Sequence, residues 1–160
     1  TKKIGFIGLG NMGGPMAVNL MKAGHDVLGF DLSEGALAAF EDAGGSCIKS
    51  VPELAAACDV IVTMLPAGAH VRKVYMDEGG IFDNAKPGTL MIDSSTIDVD
   101  SARAVIAAAE AKEFAMVDAP VPAARGGDRR LEGTSSPDEH DLLGAEARQL
   151  LAHPRVECVR

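Results

Sequence analysis

Cysteine is scarce in this chain. Cys47, Cys58 and Cys158 are the only three, and no two of them form a CxxC pair. That spacing argues against a zinc site or a disulfide framework and fits a reducing compartment with buried or surface thiols. Long apolar runs are missing too, none approaching the roughly eighteen residues of a membrane span. The Lys2–Lys3 start leads into a strand rather than a signal peptide. Basic residues are in deficit, 15 Lys and Arg against 23 Asp and Glu for a net charge of −8. Affinity for phosphate backbones comes mainly from clustered cations, so this balance argues against a nucleic-acid partner. A Gly-Lys-Ser/Thr ending is also lacking, which excludes a P-loop nucleotidase. What remains is an expectation of a soluble, cytoplasmic protein with no membrane contact. At 160 residues it fits one ordinary domain, burying roughly two-thirds of the surface that its unfolded form would expose. Catalysis that needs a second large domain would then require a partner chain. Hydrophobic residues at 47% and charged residues at 24% are near the globular average.

What is present is a strict alternation. Ile4 to Ile7 is a short apolar run ending at Gly8, and Asn11 to Ala23 carries Met12, Met16, Leu20 and Met21 at helical spacing. Gly24 closes that helix, Val27 to Phe30 reads as a second strand, and Ser33 caps a helix through Ala43. A strand near Cys47–Ile48 precedes a helix opened by Ser50 and Pro52. Val60 to Leu65 is a continuous run suited to a strand covered on both faces, and Pro66 ends it. A helix over Ala69 to Tyr75, a strand at Thr89 to Ile92, a helix over Ser101 to Lys112 and a strand at Phe114 to Val117 complete the pattern. Strands alternating with helices imply right-handed crossovers and an α/β fold with a doubly wound parallel sheet of the Rossmann type. Ligands of such sheets sit beyond the carboxyl ends of the strands.

Gly8-Leu9-Gly10-Asn11-Met12-Gly13 matches GxGxxG between the first strand and its helix. Gly8 would make the tight turn, Gly10 would let backbone approach a pyrophosphate, and Gly13 would allow close helix–strand packing. Asp31 ends the second strand eighteen residues after Gly13, where a carboxylate on the ribose diol is expected. The competing reading is a glycine-rich turn followed by a helix-capping acid. Loop and acid together favour a dinucleotide. Asp31 would repel a 2′-phosphate and neither Leu32 nor Ser33 offers a cation, so the expected cofactor is NAD rather than NADP.

The stretch Gly8-Leu9-Gly10-Asn11-Met12-Gly13-Gly14-Pro15-Met16-Ala17 resembles the opening signature of the 3-hydroxyisobutyrate dehydrogenases. The wider group includes tartronate semialdehyde reductases and 6-phosphogluconate dehydrogenases. Three later stretches agree: Met64-Leu65-Pro66 with His70-Val71, Asp93-Ser94-Ser95-Thr96, and Asp118-Ala119-Pro120-Val121. The resemblance covers positions 1 to 121. It implies that Asn11, Met12, Met64, Leu65, Pro66 and Thr96 line the nicotinamide cofactor beside Asp31. Each has a plainer alternative: Met12 as core, Leu65-Pro66 as a strand stop, Ser95-Thr96 as a helix cap. His70 and Tyr75 carry no signal of their own and read as helix-surface or packing residues. The four motifs in order disfavour a methyltransferase, which shares the glycine turn and the acid.

The chemistry implied is oxidation of a hydroxyl on a short 3-hydroxy acid, with hydride passing to NAD while a base takes the hydroxyl proton. In the family that base is a lysine on a helix beyond the cofactor domain, and the substrate carboxylate is held by Ser-Gly-Gly after Asp-Ala-Pro-Val. This chain has no lysine after Lys112 and reads Pro122-Ala123-Ala124 at the carboxylate positions. No catalytic residue is therefore assigned. The expectation is a truncated, inactive fragment of a dehydrogenase, with a stand-alone NAD-binding module as the alternative. Homo-oligomerisation stays open.

Residues 122 to 160 form an atypical tail. It has no Lys, Ile, Phe or Met, yet it holds six of the eight arginines. Pro122-Ala123-Ala124-Arg125-Gly126-Gly127 can be encoded so that the frame one base earlier reads Ser-Gly-Gly-Thr-Gly-Gly, which points to a base lost at the Val121 codon. A divergent, in-frame tail is the competing reading, because Leu142, Leu143, Leu150 and Leu151 suit a helix over 138–152 and Val156–Val159 looks strand-like.

Overall fold

The computed structural model describes residues 2–121. The helix expected over 138–152, the strand over 156–159 and the Pro122-Ala123-Ala124 stretch lie outside the described residues.

Six strands form one sheet: β1 (Lys3–Ile7), β2 (Asp26–Phe30), β3 (Ser46–Cys47), β4 (Val60–Thr63), β5 (Leu90–Asp93) and β6 (Ala115–Asp118). Their order is β3-β2-β1-β4-β5-β6, and every pairing is parallel. The helices are α1 (Gly13–Lys22), α2 (Glu34–Asp42), α3 (Val51–Ala57), α4 (Gly68–Met76), α5 (Ile81–Asn84) and α6 (Val99–Ala111). α1 packs on α2, while α3 to α6 pack among themselves. Right-handed crossovers put these two groups on opposite faces, because the chain moves outward from β1 and then returns through β4. The doubly wound Rossmann arrangement expected from the alternation is the one observed.

Burial explains why β1 and β4 are unbroken apolar runs. Ile4, Phe6, Val60 and Ile61 are all buried between the two helical layers. Beneath α3 the strand carries Gly5, where a Cβ would run into the Leu54 side chain. The absence of that Cβ lets Leu54 pack fully buried against the sheet. Truncating such a leucine to alanine costs about 2–5 kcal/mol.

Helix starts follow side-chain caps. Ser33 Oγ accepts the Ala36 N–H at 3.3 Å, Ser50 Oγ accepts the Glu53 N–H at 3.4 Å and Asp98 Oδ1 accepts the Ser101 N–H at 2.8 Å. Several boundaries and one element differ from the sequence expectation. α1 begins at Gly13 rather than Asn11, which leaves Gly10-Asn11-Met12 as an open turn. β4 ends at Thr63, two residues before Leu65. α6 begins at Val99 rather than Ser101, because Asp98 is its cap. The single turn α5 was not expected, being too short to show a period; its Ile81 and Phe82 are buried.

Candidate dinucleotide site

Because the strands are parallel, their carboxyl ends share one edge of the sheet. The ladder continues one residue past each strand along that edge. Gly8 N–H donates to Phe30 O at 2.9 Å, Met64 N–H to Ile7 O at 2.9 Å and Ser94 N–H to Thr63 O at 2.8 Å. The loops after β1, β2, β4 and β5 are thereby held side by side, around the point where the strand order reverses between β1 and β4. A crevice for a ligand opens at such a point.

The three loop glycines have different reasons to be there. Gly8 sits at φ +96°, and a Cβ on it would meet the Met64 carbonyl. A Cβ on Gly13 would meet the Gly8 carbonyl and the Phe6 ring. Both are required by the protein's own packing. Gly10 is not, since a Cβ there has nothing within 4 Å and its backbone avoids the left-handed region. Behind Gly10, α1 starts with no side-chain cap and no acid in its first turn. α2, α3 and α6 each begin with a side-chain cap and an acid in the first turn, whereas α4, like α1, has neither. The first N–H groups of a helix lack intrahelical partners and carry its positive end, so the exposed turn Gly10-Asn11-Met12 leads into donors suited to an anion.

Asp31 is half-buried at the end of β2. Its Oδ2 accepts the Leu9 N–H at 2.7 Å and its Oδ1 accepts the Ser33 N–H at 2.8 Å. The helix cap is Ser33, so the acid is not there to cap α2. Leu32 beside it is 90% exposed.

The other expected residues fall on the same edge. Met12 is 43% exposed, which removes it from the core. Asn11, Pro66 and Thr96 are exposed, and Met64 and Leu65 are half-buried. Leu65-Pro66 does not stop β4, which has already ended at Thr63. Thr96 is not a helix cap either, because Asp98 fills that role. Instead Thr96 Oγ1 donates to Val121 O at 3.0 Å. His70 is exposed on α4.

Three residues given no site role by the sequence reading stand directly beneath this edge. Tyr75, read as a surface or packing side chain, is fully buried with its hydroxyl 3.1 Å from Thr63 Oγ1. Thr63 Oγ1 donates to Asp93 Oδ1 at 2.8 Å. Burial, and then the neighbouring Asp93, push the Tyr75 phenol far above its ordinary range, so it stays protonated. Asp118 pairs in register with Asp93 across β5 and β6. Desolvation, then the Asp93 charge, raises its carboxyl above the ordinary value. The sequence hint to the first group was a threonine closing an otherwise apolar strand.

Among the described residues there is no group of three or more His, Cys, Asp or Glu side chains that could hold a metal ion. None of their helices is long and apolar enough to cross a membrane.

Comparison with known proteins agrees with this geometry. Residues 3–135 match the model of the NAD binding domain of 6-phosphogluconate dehydrogenase. A probable mitochondrial 3-hydroxyisobutyrate dehydrogenase of Dictyostelium discoideum is 49% identical over 127 residues, covering 79% of this chain and 40% of its own length. An NAD-dependent L-serine dehydrogenase of Pseudomonas aeruginosa is 44% identical over 126 residues, covering 79% and 42%. The solved structure of Mycobacterium tuberculosis 3-hydroxyisobutyrate dehydrogenase with L-serine superposes with a TM-score of 0.73 at 46% identity, covering 77% of this chain and 41% of that one. The chain thus spans about two-fifths of the length of the curated relatives that it matches. Over the part of them that it spans it is similar to the 3-hydroxyisobutyrate dehydrogenases, and it belongs to the family of NAD-binding domains described from 6-phosphogluconate dehydrogenase.

Proposed function

We propose that this domain holds NAD across the sheet edge for hydride exchange with a short 3-hydroxy acid. The single observation that carries the site is the pairing of an unfilled Gly10 with an uncapped, acid-free α1. Protein packing accounts for Gly8 and Gly13 but leaves Gly10 unexplained until a ligand occupies that space.

The residues present fit the cofactor. Gly10, Asn11, Met12 and Gly13 would receive the pyrophosphate on backbone N–H groups. Each Asp31 oxygen accepts one backbone N–H and keeps capacity for a second donor, here a ribose hydroxyl. With the adenylate half over β1 and β2, the nicotinamide half falls to β4 and β5, where Met64, Leu65, Pro66 and Thr96 would line it. When bound, NAD supplies a hydride acceptor; the chain's own residues bind and orient it. The free thiols Cys47 and Cys58 suit a reducing, aqueous compartment such as the cytoplasm.

Proton transfer and carboxylate binding are what the family assigns to a lysine beyond this domain and to Ser-Gly-Gly. No lysine follows Lys112, and Pro122-Ala123-Ala124 replaces the small-residue stretch. Pro122 has no N–H to offer an anion. We therefore propose that these 160 residues bind cofactor without turning substrate over. Calorimetric titration with NAD should show saturable binding, and the same sample given NAD with 3-hydroxyisobutyrate or L-serine should generate no NADH absorbance. Failure to bind NAD would overturn the cofactor reading, and measurable NADH formation would overturn the inactive one.

A further inference from the structure

Beneath the β4 and β5 ends lies a run of buried polar side chains for which cofactor contact gives no reason. Tyr75 of α4 packs its ring, tilted by 44°, at 5.3 Å from Phe82 and presents its hydroxyl to Thr63 Oγ1 at 3.1 Å. A threonine hydroxyl has one proton, and Thr63 gives it to the Asp93 carboxylate at 2.8 Å. The Tyr75 O–H must then be the donor to Thr63, and the bonds run one way from Tyr75 through Thr63 to Asp93. All three are buried: Tyr75 and Thr63 at 0% exposure and Asp93 at 2%. The other positions of the two strands are Val60, Ile61, Val62, Leu90, Met91 and Ile92. Buried polar groups in such surroundings are tolerated only when hydrogen-bonded, and phenylalanine with valine would fill much the same space without that demand.

The run ends on the site. Asp93 Oδ1 also accepts the Ser95 N–H at 3.1 Å, and Ser95 Oγ accepts the Leu65 N–H at 2.8 Å. The loop after β4 is thus fastened to the loop after β5 through the Ser95 hydroxyl, and Ser95 is itself held by a carboxylate that Thr63 bonds from below. The loop after β1 has its own side-chain bond, from the Leu9 N–H to Asp31, and the two sets of side-chain bonds share no residue.

We propose that Tyr75, Thr63 and Asp93 are positioning residues whose buried hydrogen-bond relay sets the Leu65 and Ser95–Thr96 loops, and with them the nicotinamide half of the site, independently of the adenylate half. This rests on the cofactor reading above. Its signature is selectivity: loosening the relay is felt by a ligand that carries the nicotinamide ring and not by one that lacks it.

The test titrates NADH and ADP-ribose into the 160-residue chain and into Thr63→Val, Thr63→Ser and Tyr75→Phe. Thr63→Val should weaken NADH by about fivefold, the effect of one hydrogen bond, and leave ADP-ribose unchanged. Thr63→Ser keeps the hydroxyl and should restore NADH affinity. Tyr75→Phe, which keeps the ring packed on Phe82, should show a smaller loss of the same kind, and it decides the matter if Thr63→Val does not fold. Equal losses for both ligands, or none for NADH, would overturn the relay. If the unsubstituted chain binds neither ligand, the cofactor reading itself falls and the relay with it.

Discussion

Asp31 Oδ2 accepts the Leu9 backbone N–H at 2.7 Å, so the acid closing β2 and the glycine loop closing β1 are one hydrogen-bonded unit. On the proposed reading, the carboxylate that would receive a ribose also shapes the loop that would receive the phosphates. Disturbing either half disturbs the other.

Asp31→Ala should therefore weaken NAD by on the order of 1–3 kcal/mol, through the lost ribose contact and the freed Leu9 amide together. Asp31→Asn keeps an oxygen for Leu9 but not the charge, and should fall between wild type and alanine. Both variants should narrow the preference for NAD over NADP in calorimetric titrations. Wild-type protein that binds NADP as tightly as NAD would remove the role given to Asp31.

Gly10→Val should abolish NAD binding while leaving the thermal midpoint close to wild type, because among the described residues no atom beyond its chain neighbours lies within 4 Å of a Cβ there. Gly13→Ala should do the opposite first and lower the midpoint, since its Cβ would run into the Gly8 carbonyl. Thermal scans with and without NAD separate the two. If Gly10→Val unfolds along with its loss of binding, the glycine serves the turn and not the phosphates.

Burial pushes the Cys58 thiol from its ordinary 9.0 up to about 11. A raised folded-state value means that the unfolded chain loses its proton first, so this group's contribution is intact below pH 9 and is lost as pH rises toward 11. Denaturant titrations over that range should show falling stability, less steeply in Cys58→Ala. Iodoacetamide should leave Cys58 unmodified in the native protein at neutral pH. Rapid native labelling would contradict its burial.

The cap on α6 gives an acid-side counterpart. The Ser101 N–H, then the Ser101 hydroxyl, hold the Asp98 carboxyl below its ordinary 3.8. A depressed value means stability present above pH 3.8 and lost as pH falls below it. Asp98→Asn should show a shallower decline of the thermal midpoint below pH 4 than wild type. Identical acid limbs would show that the cap contributes nothing there.

The sheet was legible because buried parallel strands are written as apolar runs and because Ser33, Ser50 and Gly24 punctuate them. The start of α1 was not, since Met12 and Met16 keep helical spacing past the true beginning at Gly13. At the site, the sequence could propose Met12, Asp31 and Thr96 but left each beside a plainer role. Exposure and the identity of the real caps set those plainer roles aside, and neither can be read from spacing alone. The relay was illegible for a related reason. Thr63 and Asp93 are 30 positions apart, and a tyrosine on the buried stripe of a helix has the same spacing whether or not its hydroxyl has a partner.

The contrast between Gly10 and its neighbours bears on how this loop changes over generations. Variants sorted only for the ability to fold would lose substitutions at Gly8 and Gly13 and retain those at Gly10. A lineage that gave up its cofactor would keep the outer two glycines for the sake of its sheet and let the middle one drift. On the proposed reading, the residue found at position 10 in any descendant of this domain is a record of whether a dinucleotide still lies against it.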